Sequence, residues 1–373
     1  MKVSILHSDL YGPLQAVSRS ISARPQLPVL ANVLLQAEKD SLIVSATNLE
    51  VGVIKKIPAE VLEEGTLTVP AKVFSEIIGS LSGEKINLQS SSDQLKISTA
   101  NFSGVLNGIA ATEFPTIPLS SEKSIAVNGL LLQQSLPEIS FAAAVDEARP
   151  ILTGILTQIK DSTLELVATD GFRLAHKKVP LPKNTTVSFK ALIPRRTLEE
   201  AVRLMHEELK GDSEQEITIA TSENQNQMIL NLGQTQLSSR LIEGNFPVWE
   251  KIVPQTFVTT ILINRTDLIK AIKLASVFAR DAANIVKLNV KEHKIIVSSE
   301  ARELGQQETE LEATVEGEKD LPVAFNNKYL LDALSNCDSK EVTIKFSGSL
   351  SPALIIPSDQ VGLEYVVMPI RIS

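Results

Sequence analysis

Cysteine is almost missing from this chain: Cys337 is the only one in 373 residues, so no internal disulfide can form. A single thiol fits a reducing compartment, and its apolar neighbourhood at a helix end suits a buried structural residue rather than a nucleophile. Histidine is scarce too. His7, His176, His206 and His293 are scattered, with no H-E-x-x-H and no Cys/His ligand spacing. There is no G-x-x-x-x-G-K-[ST] phosphate loop, no G-x-G-x-x-G after a strand and no G-x-S-x-G elbow. These absences predict neither metal nor cofactor. No apolar run approaches the ~18 residues of a membrane helix, and MKVSILHSDL turns polar too soon for a signal-peptide core. The expectation is a soluble cytoplasmic protein without a membrane partner. Aromatic residues make up only 4% of the chain, so Ala, Ile, Leu and Val must do most of the packing.

What is present is repetition. Segments 45–58 (SATNLEVGVIKKIP), 167–180 (VATDGFRLAHKKVP) and 297–310 (VSSEARELGQQETE) each follow an alternating apolar strand and precede a helix. They recur roughly every 125 residues, about one domain. Within each repeat the order is the same. A strand leads into an amphipathic helix, strands of period two follow, then a second helix of period 3.6 and closing strands. The first helices are expected over 9–22, 128–144 and 263–280, and the second over 71–81, 195–209 and 327–337. Ser8 or Asp9, Asn128, and Asn264 with Thr266 are the expected caps. The predicted fold class is α+β: three repeated domains, 1–120, 124–253 and 256–373, each an antiparallel sheet with two helices on one face. Linkers are expected near 119–123 and 253–256.

Net charge is −8, which alone argues mildly against nucleic acid but leaves room for a local basic surface. The helix of the third repeat shows one. With Lys270 set at 0° and about 100° per residue, Leu268, Ile272, Ala275 and Ala279 gather near ~170°, whereas Lys273 and Arg280 fall at about −60° and −80°. Arg195, Arg196 and Arg203 repeat the theme in the second repeat, diluted by Glu199, Glu200, Glu207 and Glu208. Arg19, Arg24 and Lys72 supply it in the first. A solvated helix face is the plain alternative for any one of them. Asp170 in ATDGFRL is the carboxylate a catalytic reading would choose, but Asp-Gly between strands is first a turn signal. Asn48-Leu49 and Ala301-Arg302 stand near the corresponding places, so something local to the second repeat wants the Asp-Gly.

The repeat order, ATDGFRLA and the terminal YVVMPIRIS resemble the bacterial sliding-clamp family, the beta subunits of DNA polymerase III. The likeness runs the whole length through SARPQLPVLANVLLQ, TVPAKVFSEII, ARPILTGIL, EGNFPVWEKIVP, FNNKYLLDAL and EYVVMPIRI. It implies a head-to-tail homodimeric ring around duplex DNA, helices lining the hole and sheets outside, with no chemistry of its own. The partners it implies are a clamp loader, replicative and repair polymerases, ligase and mismatch-repair proteins, held by short linear motifs near the nucleoid. By the same resemblance Arg24, Lys72, Arg195 and Arg196 contact DNA. Lys270, Lys273 and Arg280 join them from the helix geometry. Asp146 and Pro150 stand where the family often has a polar or aromatic DNA contact. The partner groove maps onto Leu152, Thr169, Gly171, Phe172, Arg173, Leu174, Pro247, Ile252 and Pro352, and onto Val366, Met368, Pro369, Ile370 and Arg371, with Asn326 and Tyr329 at its border. Met368 suits varied peptides because its thioether is flexible.

The ring is expected to close by edge pairing of 94–106 with 301–312, Lys96 facing Glu303 or Glu308. Three other readings stay open: an enzyme using Asp170, Arg173 and Arg371, a monomeric three-repeat scaffold, and a specialised second copy of such a clamp.

Overall fold

The six amphipathic segments form helices α1 (His7–Ser18), α2 (Ala71–Ser80), α3 (Gly129–Ser140), α4 (Arg195–Leu209), α5 (Arg265–Ala279) and α6 (Asn327–Ser335). The structure, a computed structural model, describes residues 1–371 except 23, 82, 84, 119–123, 183–189, 213, 223–225, 281–282 and 304. The expected linker at 119–123 therefore lies outside the described residues, and 253–256 is irregular chain.

Helix ends follow local chemistry. Asn264 caps α5 by accepting from Asp267 N at 3.1 Å. Asn326 caps α6 by accepting from Lys328 N at 3.0 Å. The expected cap of α1 does not form. The helix starts at His7, so Ser8 and Asp9 already lie in its first turn, and Leu6 precedes it without a side-chain cap. The wheel drawn for α5 holds: Leu268, Ile272, Ala275 and Ala279 are buried, whereas Lys270, Lys273 and Arg280 are exposed.

All strand pairings among the described residues are antiparallel. The sheets do not stop where the repeats do. The chain folds into two compact units, residues 1–130 with 200–241 and residues 131–199 with 242–373. In the first unit an eight-stranded sheet joins the two repeats where Val51–Pro58 pairs with Thr235–Arg240. A five-stranded sheet ends at Ser103–Asn107. In the second unit a nine-stranded sheet joins repeats where Arg173–Pro180 pairs with Leu363–Val367. A four-stranded sheet ends at Gly305–Glu312. Backbone N–H and C=O groups left at a domain edge are costly if buried unpaired, and continuing the ladder into the next repeat satisfies them.

The low aromatic content is visible inside. Tyr365, Phe74, Phe325 and Phe346 are fully buried, and the remaining core is overwhelmingly Leu, Ile, Val and Ala. Strand Thr163–Thr169 is buried on nearly every residue. Its outer side is covered by Ile242, Phe246, Trp249, Ile252, Val253 and Phe257, which pack on Leu156, Val167, Leu174 and Val366. That covering segment borders the candidate site.

Candidate functional site

The turn before Arg173–Pro180 sets one wall. Thr169 Oγ1 donates to Arg173 O at 2.6 Å and accepts from Gly171 N at 3.0 Å. Asp170 Oδ1 accepts from Phe172 N and Arg173 N at 2.9 and 3.0 Å. Gly171 supplies the positive φ of 92° that the turn needs. The first repeat builds the same turn with other residues. Asn48 Oδ1 accepts from Glu50 N and Val51 N at 3.0 and 2.8 Å, and Leu49 takes a φ of 75°. The turn thus belongs to the repeat. What is special to the second repeat is the charge, because Asp170 Oδ2 also holds Arg173 Nε at 3.0 Å.

Arg173 is the hub. Its guanidinium pairs with Asp170 and Asp332 and donates to Phe141 O at 2.9 Å. It lies 4.9 Å from the Tyr329 ring centroid and 5.3 Å from that of Phe141. Tyr329 stacks on Phe172 at 6.1 Å and 14°. Burial pushes the Tyr329 hydroxyl above its ordinary range, and the Asp170 carboxylate adds to it. Phe172 is nevertheless 53% exposed, an apolar ring held open to solvent. The tail docks beside it: Met368 N donates to Phe172 O at 2.9 Å and Ile370 N to Ala324 O at 2.7 Å.

The residues expected at this site divide. Leu174, Val366 and Ile252 share one apolar cluster, and Thr169, Gly171, Phe172, Arg173, Met368 and Ile370 are joined by the turn and tail bonds above. Pro247 and Arg371 are exposed, Pro352 and Pro369 half-buried, and Leu152 is buried in the short helical turn Pro150–Thr153. Asn326 spends its side chain on capping α6. Asp332, Phe141, Trp249 and His176 were not anticipated. His176 Nδ1 lies 2.7 Å from Glu364 Oε1, and its ring sits 4.4 Å from that of Trp249. The single tryptophan was the one available signal for that floor.

The basic side chains sort by their partners. Arg19 is not presented to solvent as expected; it pairs with Glu200 and Glu207 at 2.7 and 2.8 Å. Arg203 pairs with Glu200 at 2.9 Å, and Lys55 with Glu208 at 2.8 Å. The glutamates that dilute α4 are thus counter-charges for these cations. Arg195 pairs with Glu199 at 2.7 Å and Lys270 with Asp267 at 3.1 Å. Arg24, Lys72, Arg196, Lys273 and Arg280 are exposed and hold no ion pair among the described residues. Asp146 accepts from Ala148 N at 2.9 Å and Pro150 opens a helical turn.

No group of three metal-ligating side chains occurs among the described residues, and no described helix is long and apolar enough to cross a membrane. Burial pushes the Cys337 thiol up to about 11. At pH 8 roughly one part in a thousand is then thiolate. Folded protein is expected to resist a thiol-disulfide reagent at that pH over hours and to react within minutes in denaturant. Fast reaction of the folded form would contradict its burial.

Three family profiles match in order: the DNA polymerase III beta subunit N-terminal domain over residues 1–118, the central domain over 126–248 and the C-terminal domain over 250–371. A beta sliding clamp of Synechocystis sp. is 30% identical over 395 residues, covering all of both chains. The crystal structure of a DNA polymerase sliding clamp from Bacillus subtilis superposes with a TM-score of 0.94 at 28% identity, again over all of both chains. A Pseudomonas aeruginosa sliding clamp bound to griselimycin gives 0.92 at 27% over the same full lengths.

Proposed function

The chain belongs to the DNA polymerase III beta subunit family, and we propose that it acts as a sliding clamp in DNA replication. Two copies close head to tail into a ring around duplex DNA and tether replicative and repair proteins to it. The full-length match of three successive family domains carries this reading.

The physical chemistry supports it. Phosphates attract cations regardless of sequence, and a topological link needs no tight contact. Arg24, Lys72, Arg196, Lys273 and Arg280 are the cations ready for phosphate, since no carboxylate among the described residues occupies them. Arg195 and Lys270 join them by releasing their partly or fully exposed acid partners, Glu199 and Asp267, which costs little because such pairs are weak. The acidic balance of the whole chain then discourages DNA from settling elsewhere.

The ring closes through two of the sheet edges, Ser103–Asn107 in one copy and Gly305–Glu312 in the other. Lys96 stands one strand inside the first edge, on Gln94–Ser98, so the outer strand rather than Lys96 makes the pairing. Exposed Val105 on that edge, and exposed Leu274 and Val277 on α5, which packs on the strand Gly305–Glu312, supply an apolar seal.

The groove around Phe172, Leu174, Val366 and Met368 takes short linear peptides of the partners: a clamp loader, polymerases, ligase and mismatch-repair proteins. Asp170 and Arg173 are committed to the turn and to each other, which makes them wall rather than acid–base chemistry. Such a protein works on the chromosome in the cytoplasm.

One experiment tests the ring. The mass in solution should be twice 40.5 kDa. Once loaded, the protein should stay on nicked circular DNA through a high-salt wash and be lost when the circle is cut. A monomer that leaves circular and linear DNA alike would defeat the reading.

A further inference from the structure

One row of side chains beyond the groove floor is polar. Val167, Leu174 and Val366 belong to the apolar cluster of that floor. Two residues along the same three strands, on the same face, stand Glu165, His176 and Glu364. His176 is buried at 3% exposure, and none of the roles above uses it. Its ring lies 4.4 Å from that of Trp249, which also packs in the apolar cluster. Trp249 is the single tryptophan of the chain, and its short helical turn, Trp249–Lys251, runs straight into Ile252 of the groove.

The first repeat shows that this row need not be polar. Segment 45–58 matches 167–180, and residues 113–117 (EFPTI) match 245–249 (NFPVW). Ile54 thus stands at the position of His176 and Ile117 at that of Trp249. Ile43, two residues ahead of the first match, stands at that of Glu165. Burying an imidazole costs desolvation that isoleucine avoids. The repeat that carries the groove is the one that bears this cost.

The hydrogen bonds show what the imidazole does there. An ionised carboxylate only accepts, so His176 Nδ1 is the donor in its 2.7 Å bond to Glu364 Oε1. Nε2 lies 3.8 Å from Glu165 Oε1 and has no hydrogen-bond partner among the described residues. Glu165 is engaged on its other side, where Oε2 accepts from Gln158 Nε2 at 2.9 Å. The bond to Glu364 therefore aims the ring, and the ring's contact with the indole passes that aim to the covering segment.

We propose that His176 is a positioning residue for the groove. Held by Glu364, it sets where Trp249 sits and so where Ile252 walls the peptide site. This inference rests on the groove reading above. His176 acts through the indole, since it is too buried to touch a peptide itself.

Glu364 is the handle for a test, because its side chain is 29% exposed and lies outside the apolar cluster. Full-length protein with ¹³C-labelled isoleucine methyls is titrated with acetyl-Leu-Phe-Asp-amide, and the Ile252 methyl gives the dissociation constant. Glu364→Ala is expected to weaken the peptide about fivefold, the worth of one net hydrogen bond. Glu364→Gln keeps an acceptor for Nδ1 and should stay within about twofold. Acrylamide quenching of Trp249 fluorescence should roughly double in Glu364→Ala, as the covering segment loosens, and stay unchanged in Glu364→Gln. His176→Phe keeps a ring without the donor, so it should match Glu364→Ala on both readouts and replaces it if the alanine variant does not fold. Unchanged quenching in Glu364→Ala overturns the proposal and leaves the groove standing. So does altered quenching with unchanged affinity, or a loss in Glu364→Gln equal to that in Glu364→Ala. Absence of any saturable shift in the unsubstituted protein overturns the groove reading, and this inference with it.

Discussion

Arg173→Ala is expected to destabilise the second unit by about 2–4 kcal/mol, somewhat less than the ~3–5 kcal/mol of breaking a fully buried ion pair because its acid partners are partly exposed. The side chain is only 12% exposed and serves Asp170, Asp332 and the carbonyl of Phe141 at once. Without it the Asp170 carboxylate, itself 16% exposed, keeps its two amide bonds but loses its cation. Asp332 contributes less to the loss, because half its side chain is in water and screened. Arg173→Lys should recover less than half, since one ammonium cannot span three acceptors in a planar fork. Hydrogen exchange at the amides of Ala175 and His176, read against those of Val33 and Leu35 in the first unit, measures the effect locally. The Phe172–Tyr329 stack and the Met368 bond rest on the same turn, so affinity for a groove peptide should fall about tenfold. Unchanged protection, or complete rescue by lysine, would show that the guanidinium is not the hub.

The second large effect concerns ring closure. Leu274 is 56% and Val277 49% exposed on the helix that packs on the free edge Gly305–Glu312. Burying a carboxylate among such side chains costs on the order of 3 kcal/mol, a change of roughly a hundredfold in a dissociation constant. Leu274→Asp should therefore turn a tight dimer into monomer at micromolar concentration, read by sedimentation equilibrium. Retention on circular DNA should be lost with it. Each monomer should keep its fold and its groove peptide, because Leu274 is exposed on α5 and is not one of the residues that build the groove. A Leu274→Asp protein that remains dimeric would place the subunit contact elsewhere.

Much of this architecture was legible from pattern. Helix α4 begins and ends where its period-3.6 pattern predicts, and the α5 wheel separated buried from exposed residues without error. Those features depend on neighbours within one or two turns, where local propensity and burial agree. The α1 cap was misplaced because the chain enters its first turn directly from strand Lys2–Leu6 at His7, leaving no room for a cap outside. Lys96 was assigned to an edge because strand order within a sheet is not written in any one strand.

The candidate site shows the same division. The residue types of a turn and an apolar wall stand in ATDGFRLA and YVVMPIRI, and the threefold repeat, the scarcity of thiols and the placement of charge follow from composition and period. Asp332 lies 159 residues from Arg173 and pairs with it only once α6 is folded. Arg19 looked like a surface cation until Glu200 and Glu207, more than 180 residues away, closed on it. Which charges remain free for phosphate, and how the roof over the groove is held, is a matter of partners distant in the chain. Coulomb attraction and close packing act through space, so those answers exist only after the strands have paired.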